Sequence, residues 1–550
     1  MPRSFASPRL RAWLGALVLC VVAVAAYRPA WHGGFIWDDD RYVTHNYLLT
    51  TPDGLRRIWF SLDAPSQYFP LAYTVLRFER ALWGLNPTGY HWLNILLHVA
   101  NALLVWRILA RLSIPGSWLA SAIFALHPVQ VESVAWISEL KNVLMGFFFL
   151  LTLLAWIEHV DATAKRRRIF YLAAVLFYLL ALFAKSTACT LPAALLLILW
   201  LKKKAIGRRE VLEILPFVVL ALGVGLLAVW WEKYHQGTRV LVALTPIERL
   251  LIASRAVWFY LSKIFWPSDL TFIYPRWQID VANPLAYFWI IAAVAAGLLI
   301  YYGRRFVGRS AEVAALFFVT TLGPVVGFIM LYTFRYTFVA DHYQYLASIG
   351  PIALVSAGLV RLGQAMRQTR WLIAVVSFIM LASLSALTWR QSSSYRDLET
   401  LWRTTIAKNP SCWMAYNNLG VVQFQKGDLD DAIEKYEQSL RLNPDYPEAH
   451  YNLGSALLQE GQIEEAIEHS RKALQLQPSD PDAHVVLGNA FMAKQDVDGA
   501  INQYAQALAL RPDDSTAHYN LATALREKGE FEQAAREYEK AREFESRGER

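Results

Sequence analysis

Three adjacent carboxylates follow the first apolar stretch of this 550-residue chain, in the segment Phe35-Ile36-Trp37-Asp38-Asp39-Asp40-Arg41-Tyr42. Neighbouring carboxylates repel one another, so at a bilayer surface they must stay hydrated or find cations. One of them could act as a general base towards a hydroxyl group. The alternative is a solvated loop in which an Asp caps a short helix.

Further polar residues interrupt otherwise apolar parts of the chain, where a lipid-facing position would disfavour them. They are His91; His127 and Glu132; Lys185; and Arg335, Asp341, His342 and Tyr343. Carboxylates acting as a base, together with cations that neutralise a leaving phosphate, suit a reaction on a lipid-linked phosphate. We expect this second group to bind the donor phosphate or the substrate.

Two of these assignments have structural alternatives. His127, Glu132 and Glu139 could form a buried hydrogen-bonded group that turns the chain between two spans. His91 and His98 could take part in packing or in a bond between helices. No cofactor is firmly implied. Asp38, Asp39 and Asp40 are the residues that could hold a divalent cation if the chemistry uses one.

The elements that position these residues are apolar windows near the length needed to cross a bilayer. With 55% hydrophobic residues, the composition excludes an ordinary soluble enzyme and predicts an all-α, multi-pass membrane domain. Eleven windows can be placed, at 12–30, 91–111, 117–128, 143–160, 169–186, 188–201, 211–231, 283–302, 311–331, 347–363 and 371–389. The segment 250–266 carries recurring basic residues and is predicted to be a helix that lies at the outer interface or re-enters it.

Clusters of Lys and Arg fall on one side of the membrane when these eleven windows are threaded in turn. The clusters are Arg3, Arg9 and Arg11; Arg107 and Arg111; Lys165 to Arg168; Lys202 to Lys204 with Arg208 and Arg209; Arg304, Arg305 and Arg309; and Arg361, Arg367 and Arg370. Such clusters stay on the cytoplasmic face. The amino terminus is therefore predicted to be cytoplasmic, and the Asp run and the carboxy-terminal tail extracytoplasmic.

The tail differs from the rest of the chain in charge and in pattern. Residues 413–550 carry 14 Lys and Arg against 25 Asp and Glu, a net of −11, whereas the first 412 residues have a net of +19. Within the tail, Pro, Ala and Leu residues recur every 34 positions, as at Pro410, Pro444, Pro478 and Pro512. This is the tetratricopeptide pattern of paired helices. It predicts four repeats, at 413–446, 447–480, 481–514 and 515–548, that stack into an α-solenoid.

These boundaries divide the chain into a membrane domain at 1–390, a linker helix at 391–412 and the repeats at 413–548. The concave surface of such a solenoid would bind a protein or peptide. Its alternatives are a spacer or a dimerisation surface. His450, His484 and His518 recur at one position of each repeat, which favours interhelical packing over a ladder of metal ligands.

Taken in order, the motifs resemble a known family. They are FxWDD; YFPL; GYH followed by Asn94 and His98; HPVxxES; Ala184-Lys185-Ser186; and ADHYxYL, all ahead of the repeats. This order is similar to that of the transmembrane and tetratricopeptide-repeat containing O-mannosyltransferases and their bacterial relatives, in the GT-C glycosyltransferase superfamily. The resemblance implies transfer of a mannose-like hexose from a polyprenyl-phosphate donor to a hydroxyl acceptor, with Asp38 and Asp39 as the acidic pair.

The chain departs from the family pattern at four positions, which are Trp37, Asp40, Ser186 and His342. These departures leave the sugar and the mode of phosphate binding open. The expected partners are the lipid-linked sugar, the bilayer and a protein acceptor near the repeats, with no nucleic acid. A bacterial inner membrane is the expected location, and the endoplasmic reticulum, with lumenal repeats, is the alternative. Two other functions fit the same residues: a non-catalytic membrane scaffold, or a lipid-linked polysaccharide polymerase or ligase.

Overall fold

The computed structural model describes residues 7–61, 67–202, 204, 206–235, 244–329, 332–366 and 370–548. In these residues the chain is helical and forms no β-strand, which confirms the all-α prediction. Three residues of the basic clusters, Arg3, Lys203 and Arg367, lie outside them. The chain divides into two compact units, Met1–Leu401 and Trp402–Arg550. The boundary falls inside the segment predicted as a linker, which contains helix α16 (Leu398–Lys408).

The first unit contains fifteen α-helices within the described ranges. They are α1 (Pro8–Ala26), α2 (Gly54–Phe60), α3 (Pro70–Trp83), α4 (Pro87–Arg111), α5 (Ser117–Leu126), α6 (Val131–Ala135), α7 (Leu140–Asp161), α8 (Ala164–Ala184), α9 (Leu191–Leu201), α10 (Arg208–His235), α11 (Pro246–Phe265), α12 (Phe288–Val307), α13 (Ser310–Leu322), α14 (Ile349–Ala365) and α15 (Arg370–Ser393). Short 3₁₀ and π turns join several of them.

Seven helical segments of the described chain are long and apolar enough to cross a membrane, so the protein is a multi-pass membrane protein. They are Arg9–Ala26, Pro87–Arg111, Ile137–Asp161, Lys165–Ala184, Arg208–Trp231, Pro284–Phe306 and Trp371–Ser393. Four shorter apolar segments, Ser117–Leu126, Ser186–Leu201, Ser310–Val325 and Ile349–Ala365, coincide with the other four predicted windows. Within the described residues each window thus contains a helical segment, and seven of the eleven reach a full crossing length.

Helix α11 corresponds to the segment predicted to lie at the interface. A capping box between Thr245 and Glu248 starts it, since each side chain bonds the other residue's backbone N–H. One face of the helix, including Ala256 and Tyr260, is buried, whereas Ile247 and Phe265 are exposed. This amphipathic character separates α11 from the long apolar spans.

The core of the first unit is α7, which packs between α4 and α8. Before it, residues 127–139 form helix α6 and two 3₁₀ turns, Pro128–Gln130 and Ile137–Glu139, and this whole stretch is buried. Trp136, in extended conformation, separates α6 from the second turn. The polar side chains of this stretch therefore point inward rather than to solvent.

The second unit holds one helix pair in each predicted repeat. The helices are α17 (Trp413–Gln425), α18 (Leu429–Leu442), α19 (Pro447–Glu460), α20 (Ile463–Leu476), α21 (Pro481–Ala493), α22 (Val497–Leu510), α23 (Ser515–Lys528) and α24 (Phe531–Gly548). Small residues allow each pair to pack closely: a Cβ on Gly488 would lie 2.5 Å from the Tyr504 ring. Each recurring histidine contacts a backbone carbonyl near the end of the preceding repeat, as His484 Nε2 does with the Pro478 carbonyl.

Candidate active site

The two residues of the acidic pair have different environments. Asp39 is fully buried. Its Oδ2 accepts a hydrogen bond from the Ile36 N–H at 2.9 Å, and its Oδ1 accepts from both the N–H, at 2.8 Å, and the hydroxyl of Ser138. Burial raises the pKa of Asp39 to about 7, although these three donors oppose the shift. Its carboxylate holds the segment of the Asp run to the turn before α7.

Asp38 is half-buried, and no group in the described residues donates a hydrogen bond to its carboxylate. Burial raises its pKa, and the nearby charges of Lys141 and Arg41 oppose that shift. The preceding residue, Trp37, has a φ of 47°, in the left-handed region that bulky side chains rarely adopt. This left-handed residue leads directly into the two acids, of which Asp38 is half-buried and Asp39 is buried.

Asp40 is exposed, and it begins the π turn Asp40–Thr44 by accepting a hydrogen bond from the Arg41 N–H. Because both oxygens of Asp39 already accept hydrogen bonds, the three acids do not converge on a common point. The described residues hold no group of three or more His, Cys, Asp or Glu side chains that could bind a metal ion. The run of acids therefore does not fit a divalent cation.

A buried ion triad lies beside Asp38. Glu139 sits between two lysines: its Oε1 is 3.1 Å from Lys141 Nζ and its Oε2 is 3.1 Å from Lys185 Nζ. Lys141 Nζ also lies 4.4 Å from the centre of the Tyr42 ring, which stacks on Tyr73. The two lysines thus share one carboxylate, and Lys141 also lies near the Asp38 carboxylate.

His342 and Glu132, which are 210 positions apart, pack against each other. Glu132 Oε2 accepts a hydrogen bond from the His342 N–H at 2.9 Å, and its Oε1 lies 3.1 Å from His342 Nδ1. Asn142 donates to the His342 carbonyl at 2.8 Å, and Lys185 Nζ lies 3.4 Å from Asn142 Oδ1. These contacts join the HPVxxES block, α7 and the segment after Tyr336 into one polar cluster.

A small polar cavity opens within this cluster. Its lining includes Asn142, Lys185, His342, Tyr343 and Thr187. Three of the residues predicted to bind the donor phosphate, Lys185, His342 and Tyr343, thus border the same space. The ammonium group, the imidazole and the amide are groups that can bind phosphate oxygens. The cavity has a volume of about 30 Å³, and apolar side chains such as Met145 and Leu346 also line it.

Asp341 and Arg335 do not line that cavity. Asp341 is buried and accepts a hydrogen bond from the Tyr274 hydroxyl at 3.0 Å. The Arg335 guanidinium lies 5.9 Å from the centre of the Tyr336 ring. Asp341 therefore anchors the loop that presents His342, and the cluster predicted from adjacent sequence positions is divided between two locations.

His127 and His91 bond to backbone groups. His127 Nε2 donates to the Ile264 carbonyl at 2.9 Å, while its Nδ1 accepts from the Val129 N–H at 3.4 Å. Burial lowers the pKa of His127 to about 4, so the ring is neutral, as this pattern requires. His91 Nε2 lies 3.2 Å from the Gly33 carbonyl and so supports the segment that leads into the Asp run. Both rings hold the chain around the site.

Three further residues form hydrogen bonds with predicted site residues but were not predicted from the sequence. They are Ser138, Asn142 and Tyr274. Ser138 and Asn142 flank Glu139 and Lys141, and polar residues beside an apolar run are a weak indication of a site. Tyr274 has no such indication, because its contact with Asp341 spans 67 positions.

The tail matches family models described as "TPR repeat", at residues 420–459 and 454–495, and as "Tetratricopeptide repeat", at residues 485–547. The crystal structure of MamA is 26% identical, covers 27% of this chain and 87% of its own chain, and has a TM-score of 0.25.

Two relatives differ in how much of this chain they match and in their sequence identity to it. Protein O-mannosyl-transferase TMTC4 of Homo sapiens is 25% identical over 489 residues, which cover 76% of this chain and 65% of that protein. Protein O-mannosyl-transferase TMTC2 of Mus musculus is 31% identical over 166 residues, or 28% of this chain and 20% of that protein. The chain spans less than two thirds of the length of these curated relatives. The protein is thus a relative of the transmembrane and tetratricopeptide-repeat containing protein O-mannosyltransferases.

Proposed function

We propose that this protein is a GT-C type membrane glycosyltransferase. It transfers a mannose-like hexose from a polyprenyl-phosphate donor to a hydroxyl group of a protein acceptor at the extracytoplasmic face. The observation that supports the proposal best is the pairing of Asp38, whose carboxylate accepts no hydrogen bond from the described residues, with the adjacent Lys141, Glu139 and Lys185 triad. The names of the relatives support the same reaction class.

In the proposed reaction, Asp38 removes the proton from the acceptor hydroxyl. The hydroxyl oxygen attacks the anomeric carbon from the face opposite the phosphate, and the bond between that carbon and the phosphate oxygen breaks. The configuration at the anomeric carbon is thereby inverted. Negative charge develops on the leaving polyprenyl phosphate, where Lys185 and His342 stabilise it.

Asp39 is a positioning residue in this scheme. Its hydrogen bonds to Ile36 and Ser138 set the loop conformation that turns Asp38 outward. Lys141 lies beside Asp38 and favours its charged form, which is the form that accepts a proton. His127, His91 and Asp341 maintain the surrounding backbone.

The orientation and location are part of the proposal. Basic clusters such as Arg304, Arg305 and Arg309 support a cytoplasmic face opposite the Asp run. If the protein resides in a bacterial inner membrane, the repeats are then extracytoplasmic. If it resides in the membrane of the endoplasmic reticulum, they lie in the lumen. Tetratricopeptide repeats commonly bind proteins, which supports a role in presenting the acceptor.

The test is sugar transfer by the full chain reconstituted in lipid vesicles. Radiolabelled polyprenyl-phosphate mannose is offered with protein acceptors or with glycan acceptors, with and without chelator. The wild type should label protein, and Asp38→Asn should not, whereas Asp53→Asn, which changes an exposed acid of the same outer segment, should retain activity. Labelling of glycan alone would indicate a polysaccharide polymerase or ligase, and full activity of Asp38→Asn would exclude Asp38 as the base.

A further inference from the structure

A cleft with aromatic walls lies between α11, the segment that follows it and the first turn of α12. Its volume is about 410 Å³, within the range of ligand-binding pockets. We name it the aromatic cleft, because its lining includes, beside Arg255, the residues Trp258, Phe259, Phe265, Trp277 and Trp289. It shares no lining residue with the small polar cavity, and none of its residues has a role in the proposed reaction.

One side of α11 forms a wall of the aromatic cleft. Arg255, Phe259 and Ser262 stand at positions i, i+4 and i+7, so they share one face of the helix. The Trp258 indole N–H donates a hydrogen bond to the Trp289 carbonyl at 3.1 Å and so ties α11 to the start of α12. The shape of the cleft is therefore set by the packing of these two helices.

Among the described residues that line the cleft, Arg255 alone carries a charge. Its partly buried guanidinium lies 4.4 Å from the centre of the Trp277 ring, and it forms no hydrogen bond or ion pair with any described residue. A guanidinium has five N–H donors, and it binds phosphate oxygens through paired hydrogen bonds. The cleft is therefore suited to an anion, and to phosphate in particular.

The cleft lies at the end of a membrane span. Trp289 is near the beginning of the apolar segment Pro284–Phe306, which is long enough to cross a bilayer. Large apolar side chains around the cleft are exposed, including Trp266, Leu285 and Phe288. Such a patch is unfavourable in water, whereas aromatic residues at the end of a span commonly contact lipid. The position of the cleft fits the headgroup region of a bilayer.

A ligand of the cleft must offer an anion to Arg255 and apolar surface to the rings, and a phospholipid offers both. We propose that the aromatic cleft binds the phosphate of an anionic phospholipid such as phosphatidylglycerol. A choline or ethanolamine headgroup fits less well, because the cations of Arg255 and Lys263 already lie against the Trp277 and Phe259 rings and the described lining has no acidic residue. This goes beyond the proposed function, since the lipid is a bilayer component and not the sugar donor.

The lipid adds to the contacts that hold the loop of Asp341. The Phe259 ring packs edge-to-face on Tyr274, with centres 4.8 Å apart, and the Tyr274 hydroxyl donates to Asp341 at 3.0 Å. The next residue of α11, Tyr260, accepts a hydrogen bond from the Ala340 N–H at 3.2 Å. A lipid held against Phe259 therefore supports folded structure on both sides of the cleft, and its binding should stabilise the chain.

The first experiment measures lipid-dependent stability. The full chain is placed in nanodiscs of phosphatidylcholine, with or without phosphatidylglycerol, and its thermal unfolding is followed. Phosphatidylglycerol should raise the melting temperature of the wild type, because a ligand that binds the folded state stabilises it. Arg255→Gln should lose most of this increase, whatever its melting temperature in phosphatidylcholine alone.

The matched control is Arg305→Gln, near the other end of α12. Arg305 is also an exposed arginine beside a ring, since its guanidinium lies 4.7 Å from the centre of Phe306. This variant should keep the increase. An equal loss in both variants would show general attraction between arginine and anionic lipid, and a full increase in Arg255→Gln would remove Arg255 from lipid binding. Either result would overturn the proposal.

The second experiment separates the lipid from other anions. Phosphatidylglycerol with a diazirine on its headgroup is photolysed with the full chain in nanodiscs, and labelled peptides are identified by mass spectrometry. Label is expected on α11 and beside Trp277, and it should fall about tenfold in Arg255→Gln, as for the loss of one hydrogen bond to a charged group. Unlabelled phosphatidylglycerol should compete. Equal competition by soluble glycerol phosphate, or by phosphatidylcholine, would contradict a site for anionic phospholipid. Neither experiment depends on sugar transfer.

Discussion

Asp39 and Ser138 are 99 positions apart, and the Asp39 carboxylate accepts hydrogen bonds from both the backbone N–H and the hydroxyl of Ser138. This contact joins the segment of the Asp run to the turn that leads into α7. It uses one carboxylate of an adjacent pair for structure and leaves the other, Asp38, beside the Lys141 ammonium. Two chemically identical neighbours thereby acquire different roles.

Replacement of the two acids separates these roles. Asp38→Asn should remove sugar transfer without lowering the melting temperature, because the Asp38 carboxylate accepts no hydrogen bond from the described residues. Asp39→Ala should lower both activity and stability, by about 1–3 kcal/mol for each buried donor left unsatisfied. Transfer assays and thermal unfolding in detergent measure the two effects.

The control for this pair is Asp40→Asn, since Asp40 is exposed and bonds only the next backbone N–H in the described chain. It should retain most of the activity and the wild-type melting temperature. If Asp39→Ala melted like the wild type while Asp38→Asn did not, the division of roles would be reversed.

The pH dependence of stability should report on Asp39. Its pKa of about 7 lies above its ordinary value near 4, so the folded chain binds this proton more tightly than the unfolded chain. The free energy of unfolding should therefore fall as pH rises from about 4 to about 7, by at most about 1.4 kcal/mol per pH unit, and level off above that. Melting curves of the wild type and Asp39→Asn across this range should differ in slope, and parallel curves would contradict the assignment.

The ion triad should control donor affinity. Lys185→Met removes the cation that borders the polar cavity and should raise the KM for donor at least about tenfold, with a smaller effect of Lys185→Arg. Glu139→Gln leaves two buried cations without their shared anion and should destabilise the chain by about 3–5 kcal/mol. The matched control is Lys202→Met, which breaks the pair of Lys202 with Asp161 outside the cavity. An unchanged donor KM in Lys185→Met would remove Lys185 from phosphate binding.

Packing within the repeats should depend on which side chain faces each small residue. Gly488→Ala places a Cβ against the Tyr504 ring and should destabilise the third repeat by about 1–3 kcal/mol. In the second repeat, Gly454 faces the smaller Ser470, so Gly454→Ala should have a lesser effect. Calorimetry of the full chain compares them, and an equal effect of both changes would show that ring contact is not the cause.

The apolar windows and the repeats were predictable because each depends on residues close in sequence. Every window predicted from hydropathy coincides with a helix, since a run of apolar residues in lipid must satisfy its own backbone hydrogen bonds. Four of those helices are too short for a full crossing, because turns such as Lys185 to Thr190 and Gly323 to Val325 interrupt them.

The site was less predictable, because its contacts join residues that are far apart in the sequence. His342 lies next to Asp341 in the chain, yet His342 packs against Glu132 and Asp341 bonds to Tyr274. His127, a residue type common in catalysis, gives both ring nitrogens to backbone groups. Residue type indicates what a side chain can do, but its available hydrogen-bonding capacity depends on neighbours brought together by folding.

By itself the sequence determined that this protein is an all-α membrane protein with four tandem repeats and an acidic run after its first apolar segment. Those features follow from composition and from periods of 34 residues or fewer. Only the tertiary structure distinguished Asp38 from Asp39 and brought Lys185 and His342 to the same side chain, Asn142. Desolvation and hydrogen bonding depend on the complete surroundings of each atom, and those surroundings come from helices that are far apart in the chain.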